Sequence, residues 1–129
     1  MIIDNCQLIT NFIEKKNIIK EKSFAFAIDI VNLYKVLSEK KEFVLSRQVL
    51  RSGTSIGANV RESEHAQSKA DLIHKLSISL KEANETEYWL DLLYETKYLS
   101  DLEFQNIKPK IIELLRLLTS IIKTSKTYN

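Results

Sequence analysis

The residues of this chain best suited to chemistry are a glycine-serine segment, two acid–histidine pairs, one inward-facing carboxylate and a set of arginines. Gly53-Thr54-Ser55-Ile56-Gly57 matches G-x-S-x-G, the strained turn that presents a nucleophilic serine in α/β-hydrolases. That turn follows a strand and needs a later acid and histidine on a large sheet. No strand pattern precedes Gly53, and the segment also lacks the Gly-Lys-Ser/Thr ending of a phosphate-binding loop. Glu62-Ser63-Glu64-His65 and Asp71-Leu72-Ile73-His74 carry the acid-x-x-His spacing that places ligands inside di-iron bundles. At 100° per residue, however, His65 falls roughly 130° and His74 roughly 150° from the apolar line of its helix, so both are expected at the surface. Cys6 alone cannot make a structural zinc site, which needs four ligands. No catalytic group, metal or cofactor is therefore expected. Glu87 lies on an inward line between Ala83 and Leu90, where a buried carboxylate needs a partner; an arginine or a tyrosine hydroxyl would serve.

The cations are a different matter. Arg47, Arg51, Arg61 and His65 fall within roughly 80° of one another on one helix, away from its apolar line. Arginine's planar fork suits phosphate, and Lys108, Lys110 and Lys123 add a basic stretch near the C-terminus, so these six Arg and Lys residues are the candidate nucleic-acid contacts. The alternative is that the arginines pair with acids of the next helix, Glu82 and Glu85 among them. The net charge of +2 is too small to demand a polyanion, and charge asymmetry between segments more often reflects complementary helix faces.

These side chains must be positioned by helices. The chain has 129 residues, 44% of them apolar and 28% charged, with only two glycines and one proline. That is one domain's length, and it is too poor in turn formers for a sandwich or barrel. Four helical stretches with short breaks predict an all-α, antiparallel up-and-down four-helix bundle over 21–126, with 127–129 as a tail. Residues 1–20 read as an N-terminal extension, either a short amphipathic helix or a loose tail. The first helix is expected to start after Ser23 and to be buried on two sides, because Phe24, Ile28 and Val31 form one line and Phe26, Ile30, Leu33 and Leu37 the next. Helix two, about 43–66, runs its core line through Val49, Gly53, Ile56 and Val60. Two glycines inside a helix cost about 1 kcal/mol each against alanine, which a close helix crossing at Gly53 and Gly57 would offset. Ser68 with Asp71 and Ser100 with Glu103 are capping boxes that start helices three and four. Pro109 is expected to kink helix four. Ile78, Trp89 and Leu92 fall opposite the inward line of helix three, and apolar residues left outside a bundle mark a partner surface. No stretch is long and apolar enough for a membrane span or a secretory signal, so a cytoplasmic protein without membrane contact is expected.

Leu50-Arg51-Ser52-Gly53-Thr54-Ser55-Ile56-Gly57-Ala58-Asn59-Val60, Ser68, Lys81-Glu82-Ala83, Glu85-Thr86 and Tyr88-Trp89-Leu90 together closely resemble the four-helix-bundle proteins of the 23S rRNA intervening-sequence family, over about Lys22 to Ser125. Most members have no established activity. A related branch, the accessory variability protein of diversity-generating retroelements, forms a pentameric barrel and binds nucleic acid and a reverse transcriptase. The resemblance thus implies a homopentameric ring in which RNA, DNA or a reverse transcriptase is a candidate partner. A protein-binding scaffold without nucleic-acid contact is the competing expectation, and salt dependence of binding separates the two.

Overall fold

The computed structural model describes residues 5–127 as four helices: α1 (Asn5–Glu39), α2 (Leu45–Ser63), α3 (Lys69–Glu95) and α4 (Asp101–Thr127). Each connection is five residues long, too short to cross the bundle, so sequential helices pack side by side and antiparallel. Helix α1 packs on α2 and α4, and α3 packs on the same two. Among the described residues no contact joins α1 to α3 or α2 to α4, so these pairs are diagonal. The core takes one line from each helix: Phe26, Ile30 and Leu37 from α1, Val49, Ile56 and Val60 from α2, Leu76, Ala83 and Leu90 from α3, and Ile111, Leu114, Leu118 and Ile121 from α4. No helix of the described residues is long and apolar enough to cross a membrane.

Helix α1 departs from the sequence expectation at its start and in its burial. It begins at Asn5 rather than after Ser23. Ser23 is fully buried inside the helix, and its hydroxyl donates back to the Lys20 carbonyl at 3.2 Å instead of capping a first turn. Ile19 and Phe12 join the core, which gives the segment before residue 20 its reason to continue the helix. The helix is also buried on one side only. Its second apolar line stays in solvent, with Phe24 54%, Ile28 50% and Val31 37% exposed.

The ends of the helices rest on devices of unequal visibility. Ser68 accepts from the Asp71 amide, and Ser100 and Glu103 exchange both hydrogen bonds of a capping box, at 2.9 and 3.1 Å. Asp71 itself accepts from the amide of Gln67, one residue outside the N-cap. Helices α1 and α3 finish in Schellman motifs. Lys41 (φ 63°) and Lys97 (φ 69°) occupy the left-handed position that usually takes glycine, while Glu42 N–H reaches the Leu37 carbonyl and Tyr98 N–H the Leu93 carbonyl, both at 2.9 Å. Helix α4 runs through Pro109 without a break in its helical span. The carbonyl that the missing N–H leaves unpaired belongs to Gln105, on the exposed side.

The start of α2 is held by a residue that its sequence pattern does not announce. The carboxylate of Glu42, itself buried, accepts from the amides of Val44 (3.2 Å), Leu45 (2.9 Å) and Ser46 (2.6 Å). These are the free N–H groups of a helix's first turn, where negative charge is stabilised. Burial pushes the Glu42 carboxyl up, but the three backbone hydrogen bonds outweigh it and leave the pKa lowered. A lowered carboxylate contributes stability that is fully present above its unfolded pKa and is lost as the pH falls through the folded value. Glu42→Ala should lower stability by about 0.5–2 kcal/mol at neutral pH. Urea denaturation between neutral and acid pH should then show the difference from the parent shrinking as the acid limb is reached; a constant difference would remove the charge from this account.

The approach of α2 to α1 leaves no room for a side chain at Gly53 and little at Gly57. A Cβ built on Gly53 would lie 2.8 Å from Cγ1 of Ile30, a fully buried residue, and one on Gly57 would lie 3.3 Å from the Ser23 carbonyl oxygen. Gly53→Ala gains about 1 kcal/mol of helix propensity but must displace Ile30 within a packed core, at about 1–3 kcal/mol. A net loss of stability is expected in thermal melts, and Gly57→Leu should unfold the bundle.

Candidate interaction surfaces

Arg51 is the centre of a polar cluster on the α2–α3 face. Its guanidinium contacts Glu82 at 3.3 Å and, more closely, Glu85. Glu85 also accepts from the Trp89 indole N–H at 3.0 Å. One turn deeper, Ser52 and Thr86 share a 2.9 Å hydrogen bond, and Ser79 donates to the Ile56 carbonyl at 2.9 Å. Both carboxylates on Arg51 come from the chain itself, so its fork is occupied and the cluster joins α2 to α3.

The other candidate cations divide in the same way. Lys108 sits between Glu87 at 3.0 Å and Asp91 at 2.6 Å. Burial lowers its pKa, and the two carboxylates more than reverse that, leaving it raised. The partner of Glu87 is therefore a lysine rather than an arginine or tyrosine, and Glu87 is half-buried, at the α3–α4 boundary. Lys110 pairs with Asp29 across the α1–α4 seam at 2.9 Å. Arg47 and Lys123 are exposed and have no acidic partner among the described residues, and Arg61 lies over the Phe24 ring at 5.5 Å. His65 and His74 are exposed, and the described residues hold no cluster of potential metal ligands.

The most extensive uncovered apolar feature belongs to α1. Ile13 (52% exposed), Phe24, Ile28 and Val31 stand on its outer side. Beside Phe24, a hollow between α1 and α2 has the small side chains of Ala27, Thr54, Gly57 and Ala58 in its lining, where another surface can approach closely, and the charged Lys20, Arg61 and Glu62 complete it. On α3, Ile78, Trp89 and Leu92 are half-buried; Trp89 packs against the core with its indole tied to Glu85, and Tyr88, 59% exposed, is the prominent outward side chain there. The α1 stripe is legible in the sequence as a second apolar line, and within the subunit it is not buried.

Residues 15–120 match the family model described as 23S rRNA-intervening sequence protein. The chain belongs to that family. A solved structure of similar fold is a protein of unknown function from the S23 ribosomal protein family of Bacteroides thetaiotaomicron, 59% identical, with a TM-score of 0.82, covering 84% of this chain and 98% of that one. Curated proteins gave no match. Within the intervening-sequence protein, the residues that carried the family likeness now have places. Arg51, Ser52, Glu82, Glu85, Thr86 and Trp89 form the α2–α3 cluster, while Gly53 and Gly57 form the α1–α2 contact. The family model begins ten residues after α1 does, so the helix's first turns lie outside it.

A structural role for Arg51 makes a definite expectation. Arg51→Ala should lower stability by about 1 kcal/mol, the upper end for an exposed pair, because it leaves Glu82 and Glu85 facing each other. The loss should shrink in high salt, which screens both the lost attraction and the remaining repulsion. Urea titrations at two ionic strengths read this directly.

Proposed function

We propose that this intervening-sequence protein is a non-enzymatic assembly module that associates with copies of itself through the outer stripe of α1. The observation that carries this reading is the exposure of Phe24, Ile28 and Val31 on consecutive turns of one helix, beside a hollow floored by Ala27, Gly57 and Ala58. A monomer would leave that stripe in water, and contiguous apolar surface of this kind marks a partner. The location of the second exposed patch supports a ring. Tyr88 and the half-buried Ile78 and Leu92 lie on α3, diagonal to α1. Two different patches on opposite sides of a subunit suit a head-to-tail contact, which closes into a ring when the rotation allows. Five subunits is the number that the family resemblance implies. A second reading, contact with RNA or with a ribonucleoprotein such as a reverse transcriptase complex, draws support from cations that no acid engages, among them Arg47, Arg61 and Lys123.

Light scattering on the full chain tests the assembly. A mass several times 15.0 kDa is expected, and the double variant Phe24→Glu with Ile28→Glu should be a folded monomer, since both positions are already exposed within the subunit. A parent that runs as a monomer at micromolar concentration would overturn the proposal.

A further inference from the structure

We propose that the C-terminal half of α4, with Lys15 of α1 beside it, is a surface for the phosphate backbone of nucleic acid. It rests on the second reading above and places that contact away from the α2 arginines. From Leu114 to Thr127 helix α4 has no acidic residue, while Arg116, Lys123 and Lys126 are all exposed. Among the described residues none of these three has an acidic partner. The nearest acid along the helix, Glu113, is engaged by Lys22 at 2.7 Å. Across the α1–α4 seam, the Lys15 ammonium donates to the Ser120 hydroxyl oxygen at 2.7 Å and so sets the level at which α1 adds its own cations. Lys15, Arg116, Lys123 and Lys126 thus give four cations at this end of the seam, against the exposed Glu14 of α1.

The shape of the patch fits phosphates. Leu115, Arg116, Thr119, Ser120 and Lys123 line a shallow hollow. The Ser120 hydroxyl accepts from Lys15, and its own proton has no acceptor among the described residues, which leaves a neutral donor between the charges. Arg116 and Lys123 are seven residues apart, about 10.5 Å along the axis, on one side of the helix. Such a line of cations and hydroxyls contacts a backbone without reading bases. The helix dipole accounts for cations only in the last turn, where Lys126 sits; Arg116 lies three turns before the end. A membrane surface fits less well, because the only apolar side chain lining the hollow, Leu115, is half-buried and has nothing to insert.

Anisotropy titrations of a fluorescein-labelled oligouridylate with the full chain, at low and moderate salt, test the proposal, with phosphatidylserine vesicles and polyglutamate as competing polyanions. The parent should bind the RNA, less tightly as salt rises. Arg116→Ala with Lys123→Ala should weaken binding by at least about tenfold at low salt and lower the log–log salt slope by about one for each cation removed, with the melting temperature unchanged. Arg47→Ala with Arg61→Ala should stay within about twofold of the parent. If the loss instead follows Arg47 and Arg61, this surface is wrong and the nucleic-acid reading survives. No RNA binding by the parent even at low salt, or tighter binding to vesicles or polyglutamate than to RNA, overturns both.

Discussion

The rest of the structure hangs on the approach of α2 to α1 at Gly53 and Gly57. With no side chain at these two positions, the Ile30 side chain reaches the α2 backbone at Gly53, and the backbone of α1 at Ser23 approaches Gly57. That contact fixes the rotation of α2 about its own axis. Ser52, one residue before Gly53, is then turned towards α3, where it meets Thr86; Arg51 is turned outward and reaches the two glutamates one turn apart on α3. A side chain at Gly53 would rotate or displace the helix, and both connections would go with it. The glycine-serine segment that superficially matches a nucleophile turn is therefore a helix-packing code in which each position serves a different neighbour.

Much of this could be read from residue types. The four helices, the capping boxes at Ser68 and Ser100, the close crossing at the two glycines and the surface placement of both histidines all follow from local patterns, and the structure has them. The misreadings have a common cause, which is that periodicity places a residue on a face without saying what stands opposite. Phe24, Ile28 and Val31 form as good an apolar line as Phe26, Ile30 and Leu33, yet only the second line meets neighbours within the subunit. Ser23 looks like an N-cap because serine often is one, but here tertiary burial of Ile19 and Phe12 extends the helix past it. Glu42 could not be identified as a cap, since it lies three residues before the helix it serves and acts through a bend of the chain. Likewise, lysines at Lys41 and Lys97 hide two helix ends that glycine would have marked.

Charge is the other quantity that composition misstates. A net +2 suggests a nearly neutral surface, and the candidate cations taken together suggest a single basic face. The structure supports neither. Arg51, Lys108 and Lys110 are consumed in joining α2 to α3, α3 to α4 and α1 to α4, so each of these three seams carries its own cation. Cations engaged this way cannot exchange their carboxylates for a ligand's phosphates without weakening a seam. The cations left over are therefore the informative ones, and on α4 they occur where the helix has stopped carrying acids.

The same logic of leftovers applies to apolar surface, and it connects the fold to the proposed assembly. A four-helix bundle satisfies one line per helix. Helix α1 carries two, and the outer one, Phe24, Ile28 and Val31, runs alongside α2 without being covered by it. Its outer line is covered neither by α3, which is diagonal, nor by any other segment of the described residues, and the proposed assembly would remove it from water. The α4 cations lie on a different helix from that stripe, and a ring built through the outer line of α1 would repeat the basic surface once per subunit. Repetition matters more than the strength of any one patch, because several weak phosphate contacts held in fixed geometry bind a continuous backbone far more tightly than one. On this view assembly is what would turn a weakly charged subunit into a polyanion-binding object.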